Sequence, residues 1–255
     1  MSTVHTQLDR NAGGSVAVLT IANPPVNAMS MAVRADLIAA VQGAVADPEV
    51  QALVLIGAGG RFIPGADIRE FGKPISGPSG RDVIAAIEAS PKPIVAALGG
   101  NALGGGLEVA LGCHFRIAAP DCRLGLPEVN LGLIPGEGGT QFAGRIMGPS
   151  RALLYMVTGE SFGPEKATEL GLFDELVEAD EVEQKALAFA HKCADGPSKA
   201  IGFMKLALTE GLDLPMHEAF AYERHLQNQL FDTPDSKEGV RAFLEKRAPR
   251  WGQTS

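Results

Sequence analysis

Four short apolar runs recur through the first half of the chain: Val16–Ile21, Ala52–Ile56, Ile94–Leu98 and Phe115–Ala118. Each is bounded by Gly, Pro or polar breakers, so each reads as a buried strand. Between them, Met31–Val45 places apolar residues at helical spacing, and Val83–Ala89 does so more weakly. Strands alternating with helices specify an α/β layered fold. Beyond about residue 148 the pattern turns helical, over Pro149–Thr158, Pro164–Leu170, Asp180–Ala194, Pro197–Glu210, Pro215–Phe231 and Pro234–Lys246. Proline near a helix start suits a first turn whose N–H needs no partner. One apolar run, Leu172–Val177, predicts a late return to the sheet, and Lys73–Gly80 is the most loop-like stretch. No polar spacer separates the two textures. The expectation is a core over residues 1–195 that carries the site, followed by a helical region over 196–255.

Composition narrows the class. Lys plus Arg number 22 and Asp plus Glu 30, a net charge of −8. That balance argues against general binding of nucleic acid or anionic membranes. Cys113, Cys122 and Cys193 form no CxxC pair, which fits a reducing compartment better than a disulfide or zinc site. The start MSTVHTQLDR lacks the basic and apolar regions of a signal peptide. The uncharged, Gly-rich run Pro93–Leu107 is shorter than the roughly 20 residues a membrane span needs. A cytoplasmic protein is expected.

Two lone acids stand out. Glu108 follows Leu103-Gly104-Gly105-Gly106-Leu107 and sits in an otherwise apolar stretch. Glycines at a helix start let backbone N–H groups approach a ligand, and the helix end favours developing negative charge. The same glycines equally suit tight packing of helix on sheet. Glu128 lies in Leu126-Pro127-Glu128-Val129-Asn130-Leu131-Gly132, where Pro127 would begin a helical turn. Two carboxyls in apolar, Gly-rich settings suggest an acid/base pair. Asp67, in Gly65-Ala66-Asp67-Ile68-Arg69, reads as a helix N-cap. His114 reads as a packing residue. The GxGxxG, GxSxG, HExxH and P-loop patterns are absent, which argues against dinucleotide, serine-hydrolase, zincin and triphosphatase chemistry.

Taken in order, these segments resemble the crotonase, or enoyl-CoA hydratase/isomerase, family. Asn23-Pro24-Pro25-Val26-Asn27-Ala28 looks like its first ligand loop, and Phe62–Ile68 like its oxyanion loop. Leu103–Glu108 and Leu126–Gly132 resemble its two catalytic segments, and Lys237–Arg247 its C-terminal helix. The wording of NPPVNA and of the catalytic segments is nearest to the hydratase module of multifunctional β-oxidation enzymes. The resemblance implies a spiral of ββα units with a helical trimerisation region, a homotrimer or dimer of trimers, and an acyl-CoA thioester substrate with no separate cofactor or metal. It implies that the Ala66 and Gly105 N–H groups hold the thioester oxygen, that Glu108 and Glu128 hydrate the double bond of a 2-enoyl-CoA, and that Gly136 helps place the water. It assigns substrate contacts to Pro25, Val26, Ala28, Gly65, Asp67, Ile68, Arg69, Pro127, Pro135, Phe243 and Lys246. Two departures stand out. Pro24-Pro25 replaces a lysine common near the CoA phosphates, for which Arg61, Arg69 or Lys246 could substitute, and Glu137 occupies a position where a small residue is commoner. The alternatives are a Δ3,Δ2-enoyl-CoA isomerase, an enzyme for a specialised acyl-CoA, or a binding or RNA-associated member of the fold.

Overall fold

A computed structural model describes residues 2–11, 14–74 and 77–252. Eight strands and ten α-helices are described. A six-stranded sheet runs in the order β1-β2-β3-β4-β6-β8. It contains β1 (Val4–Arg10), β2 (Ser15–Ile21), β3 (Val50–Gly57), β4 (Ile94–Leu98), β6 (Phe115–Ala118) and β8 (Glu175–Leu176). The β1–β2 pair is antiparallel, and every later pair is parallel. A second, two-stranded parallel sheet joins β5 (Ala102–Leu103) to β7 (Leu124–Gly125).

The central strands are apolar on both faces because both are covered. On one side, Leu19, Leu53, Leu55, Ala96 and Leu98 pack with Val33, Leu37 and Val41 of α1 (Met31–Ala46) and with Val83, Ile84 and Ile87 of α2 (Gly80–Glu88). On the other, Val16, Val54, Val95, Ala97 and Ile117 meet Val182, Ala186, Ala190 and Ala194 of α7 (Val182–Ala194). That stripe repeats every four residues, and its alanines let the helix lie close.

The four expected strands and the two early helices are present with small shifts of boundary. α5 (Pro149–Thr158) begins and ends where expected, α8 (Ser198–Gly211) is shifted by one residue, and α6 (Pro164–Glu169), α7, α9 (Met216–Asn228) and α10 (Pro234–Leu244) are shorter than expected. The expected strand Leu172–Val177 narrows to Glu175–Leu176, whose side chains are exposed. Three elements had no counterpart in the sequence reading: β1, the small sheet, and α4 (Gly139–Met147). Within Lys73–Gly80, Ile75 and Ser76 lie outside the described residues.

The segments after β2, β3, β4 and β6 all leave the carboxyl ends of parallel strands, where ligands collect in open α/β sheets. The first is tied by its own asparagines. Asn27, at φ 63°, accepts from Asn23 N through Oδ1 and donates to Ala58 O, while Asn23 donates to Ala28 O. Asparagine tolerates this left-handed conformation better than most residues. A bridge between Met29 and Ala66 then joins the first loop to the second.

Candidate active site

The second loop is closed by Asp67. Its Oδ1 accepts from Arg69 N at 3.0 Å, capping a single 3₁₀ turn over Ile68–Glu70, and the Arg69 guanidinium holds its carboxyl down at about 2. The bridge uses Met29 N to Gly65 O and Asp67 N to Met29 O, so it leaves the Ala66 N–H unused. Opposite stands α3 (Gly105–Gly112), whose first N–H groups have no partner within the helix.

Each glycine before Glu108 has its own cause. Gly104 is the N-cap at φ 51°, and a Cβ there would lie 2.8 Å from Glu128 Oε1. A Cβ on Gly105 would lie 3.9 Å from both Ala66 N and Glu108 Oε2, and 2.8 Å from the Met29 methyl. A Cβ on Gly106 would lie 1.8 Å from Ile63 O. Gly104 and Gly105 therefore face the two carboxyls, while Gly106 allows close packing, against the loop that holds Ile63 and not against the sheet.

Glu108 is only 2% exposed. Its Oε1 accepts from Glu137 N and Gly139 N, each at 2.8 Å. Burial pushes its carboxyl up to about 7; the two N–H groups oppose that rise, and the charges of Glu128 and Glu137 add to it. Glu128 begins a 3₁₀ turn over Glu128–Leu131, as Pro127 implied, with Pro127 as the N-cap. Its carboxyl is also raised by burial, and its Oε2 has no hydrogen-bond partner.

Glu108, Glu128, Ala66, Gly105 and Gly136 line one cavity of about 440 Å³, with Met29, Asp67, Phe71, Ile134 and Glu137 among its other walls. A neighbouring groove is lined by Pro25, Val26, Ala28, Gly65, Asp67, Ile68 and Arg69. Ala66 and Asp67 belong to both. Pro135 is buried behind Gly139 and lines neither. Phe243 and Lys246 line neither within the single chain. Arg61 donates to Pro25 O beside the groove, and Arg69 is paired with Asp67. His114 is a packing residue, its Nδ1 accepting from Ile94 N at 2.9 Å, with burial as the main reason its pKa falls to about 3. Among the described residues no cluster of His, Cys, Asp or Glu could hold a metal, and no helix is long and apolar enough to cross a membrane.

Sequence reasoning missed the two N–H groups that hold Glu108. The run Gly136-Glu137-Gly138-Gly139 carried the signal, since Gly139 stands where a Cβ would lie 3.0 Å from Glu108 Oε1.

The raised carboxyl has a consequence for stability. A group whose pKa rises on folding stabilises the fold below its unfolded value and loses that stabilisation as pH climbs through the folded one. Stability is therefore expected to fall by on the order of 3 kcal/mol between about pH 4.5 and 7 on account of Glu108, a figure that follows from 1.36 kcal/mol per pKa unit. Glu108→Gln should flatten that decline and be the more stable protein at pH 8. Urea titrations across the range check this, and parallel curves for the two proteins would contradict it.

Two raised carboxyls beside two backbone N–H groups are the kind of groups that acid/base chemistry on a polarised carbonyl compound requires. The enoyl-CoA hydratase/isomerase family model matches residues 11–254. A probable enoyl-CoA hydratase of Bacillus subtilis is 40% identical over 252 residues, covering 92% of this chain and 95% of that protein. A peroxisomal bifunctional enzyme of Danio rerio is 46% identical over 201 residues, covering 78% of this chain but only 28% of that longer protein. The crystal structure of an enoyl-CoA hydratase from Bacillus anthracis superposes with a TM-score of 0.89 at 32% identity, covering 96% of this chain and 98% of the other. The chain belongs to the enoyl-CoA hydratase/isomerase family and has the crotonase fold.

Proposed function

We propose that the protein hydrates 2-enoyl-CoA thioesters. The observation that carries this is the placement of Glu108 and Glu128 in one cavity beside the Ala66 and Gly105 N–H groups. Burial raises both carboxyls, that of Glu108 to about 7, so Glu108 can hold a proton near neutral pH. The thioester oxygen lies against the two N–H groups. One carboxylate takes a proton from water as its oxygen bonds to the β-carbon. The π-electron pair moves onto the thioester oxygen as an enolate, which the N–H groups stabilise, each donor worth roughly 3–4 kcal/mol. The other carboxyl, protonated at the start, delivers its proton to the α-carbon. The balance is one water added across one double bond, with the proton moved from one glutamate to the other. Gly136, which lines the cavity, donates its N–H to the water in this reading, and Asp67 acts by holding its loop.

The groove on the far side of Ala66 suits the pantetheine arm, with Arg61 and Arg69 near enough to serve the phosphates. The helical tail carries exposed apolar residues, among them Met204, Leu208, Leu212, Met216, Phe220, Phe243 and Leu244. So large an apolar surface marks an interface, and we assign it to a homotrimer, singly or paired. In that assembly Phe243 and Lys246 would reach the groove of a neighbouring copy.

The test is the ultraviolet absorbance of the conjugated thioester on mixing with crotonyl-CoA. Rapid loss is expected. A protein that binds acyl-CoA yet leaves the absorbance unchanged overturns the reading, and turnover of 3-enoyl-CoA in its place would make it an isomerase.

A further inference from the structure

The chemistry above uses the backbone N–H of Glu137 but not its side chain. The carboxylate is occupied elsewhere. Its Oε2 accepts from Arg81 N at 2.5 Å, in the first turn of α2, where a helix favours negative charge. The side chain lies flat on Gly80, where a Cβ would come within 3.0 Å of the Glu137 Cγ and Cδ and 3.3 Å of the Met29 methyl. The Met29 methyl also touches the face of Gly105. From Gly105 outward the order is therefore the Met29 methyl, then Gly80 and Glu137.

Beyond them lies a further cavity of about 590 Å³, lined by Phe142, Ile146 and Leu212 together with the ion pairs of Arg81 with Glu88 and of Arg145 with Asp213. It shares Gly136 with the active-site cavity. Gly80 and Glu137 line the near side, while their chain neighbours Arg81 and Gly138 line the far side. The contact of Glu137 with α2 is the wall between the two.

We propose that Glu137, latched to the amino end of α2, closes the acyl end of the site and makes this a short-chain enzyme, with the cavity beyond as the path that a longer chain would take once the latch is gone. A short acyl group ends at the Met29 methyl, which is flexible and apolar. A longer one would run into the carboxylate and strip its water or its N–H partner, a cost no apolar contact repays. This specificity rests on the hydratase reading, because it takes the acyl group to point from Gly105 toward Met29.

The experiment compares kcat/KM for crotonyl-CoA and trans-2-decenoyl-CoA in the wild type and in Glu137→Ala. The wild type is expected to favour crotonyl-CoA. Glu137→Ala is expected to raise the decenoyl-to-crotonyl ratio by about tenfold or more, the scale on which pockets discriminate by chain length. Glu137→Gln keeps the volume and an acceptor for Arg81 N, so its ratio should stay near that of the wild type. An unchanged ratio in Glu137→Ala, a wild type without preference, or equal shifts in the Gln and Ala variants would each overturn the proposal. Should Glu137→Ala fail to fold, Glu137→Asp is read in its place, since it keeps the charge but is one methylene too short for the latch. A wild type that hydrates neither thioester would sink the hydratase reading itself. The latch would then be read from the Kd values of butanoyl-CoA and decanoyl-CoA, with the same change of ratio expected and an unchanged one overturning it.

Discussion

Glu108→Gln and Glu128→Gln are each expected to lower kcat for crotonyl-CoA by about 10³-fold, within the range a positioned acid or base contributes. The substitution is close to isosteric. In Glu108→Gln the amide oxygen can still accept from Glu137 N and Gly139 N, so the loop stays where it is and only proton exchange is lost. Glu128 has no such hold, since its Oε2 has no partner. There the amide adds two donors at the place where water should sit, and the loss should be at least as large. KM should change little in either case, because the groove and the two N–H groups are untouched. The double variant should be hardly worse than either single one, as groups that pass one proton between them act as a unit. Near-wild-type turnover in both single variants would reject the pair as the acid and base. Circular dichroism and oligomer size serve as the controls for folding.

Gly106→Ala is expected to give the largest loss of stability, about 4 kcal/mol or more, at the upper end for single substitutions. The added methyl would stand 1.8 Å from Ile63 O and 2.7 Å from its carbonyl carbon. Neither atom can swing aside, so α3 must move off the loop that precedes Ala66. That movement separates Ala66 from Gly105, so residual activity should fall further than the residual folded fraction. Gly144→Ala is the matched control. It lies inside α4 with no neighbouring atom within 4 Å of the new Cβ, so it should be neutral or slightly stabilising. Thermal unfolding of the two variants, measured side by side, decides the matter: a Gly106→Ala protein as stable as Gly144→Ala would show that the contact is not as tight as described.

What could be read from the sequence follows from how many neighbours a segment needs to declare itself. β4 and β6 were legible to the residue because strands buried on both faces are written as continuous apolar runs. β1, VHTQLDR, was not, because an edge strand with one wet face mixes charge into its pattern and owes its form to its pairing with β2. α4 was hidden by its opening glycines, which resemble a loop, and β5 and β7 are two residues each, too short for any periodicity. The site shows the same division. Glu108, Glu128 and the Asp67 cap are local statements about polarity and turn chemistry. The latch of Glu137 is not local, since its partner Arg81 lies 56 residues away, and no pattern around either residue announces the other. Phe243 and Lys246 were named from resemblance alone, and within one chain they stand apart from both cavities.

The parallel strands end in the loops that carry Ala66, Gly105 and Glu128, whereas Glu137 lies outside the sheet and its side chain meets the amino end of α2. Heritable change acts differently on the two groups. A shift in the first disturbs the core and is purged, while Glu can become Ala by one nucleotide substitution that leaves strand register untouched.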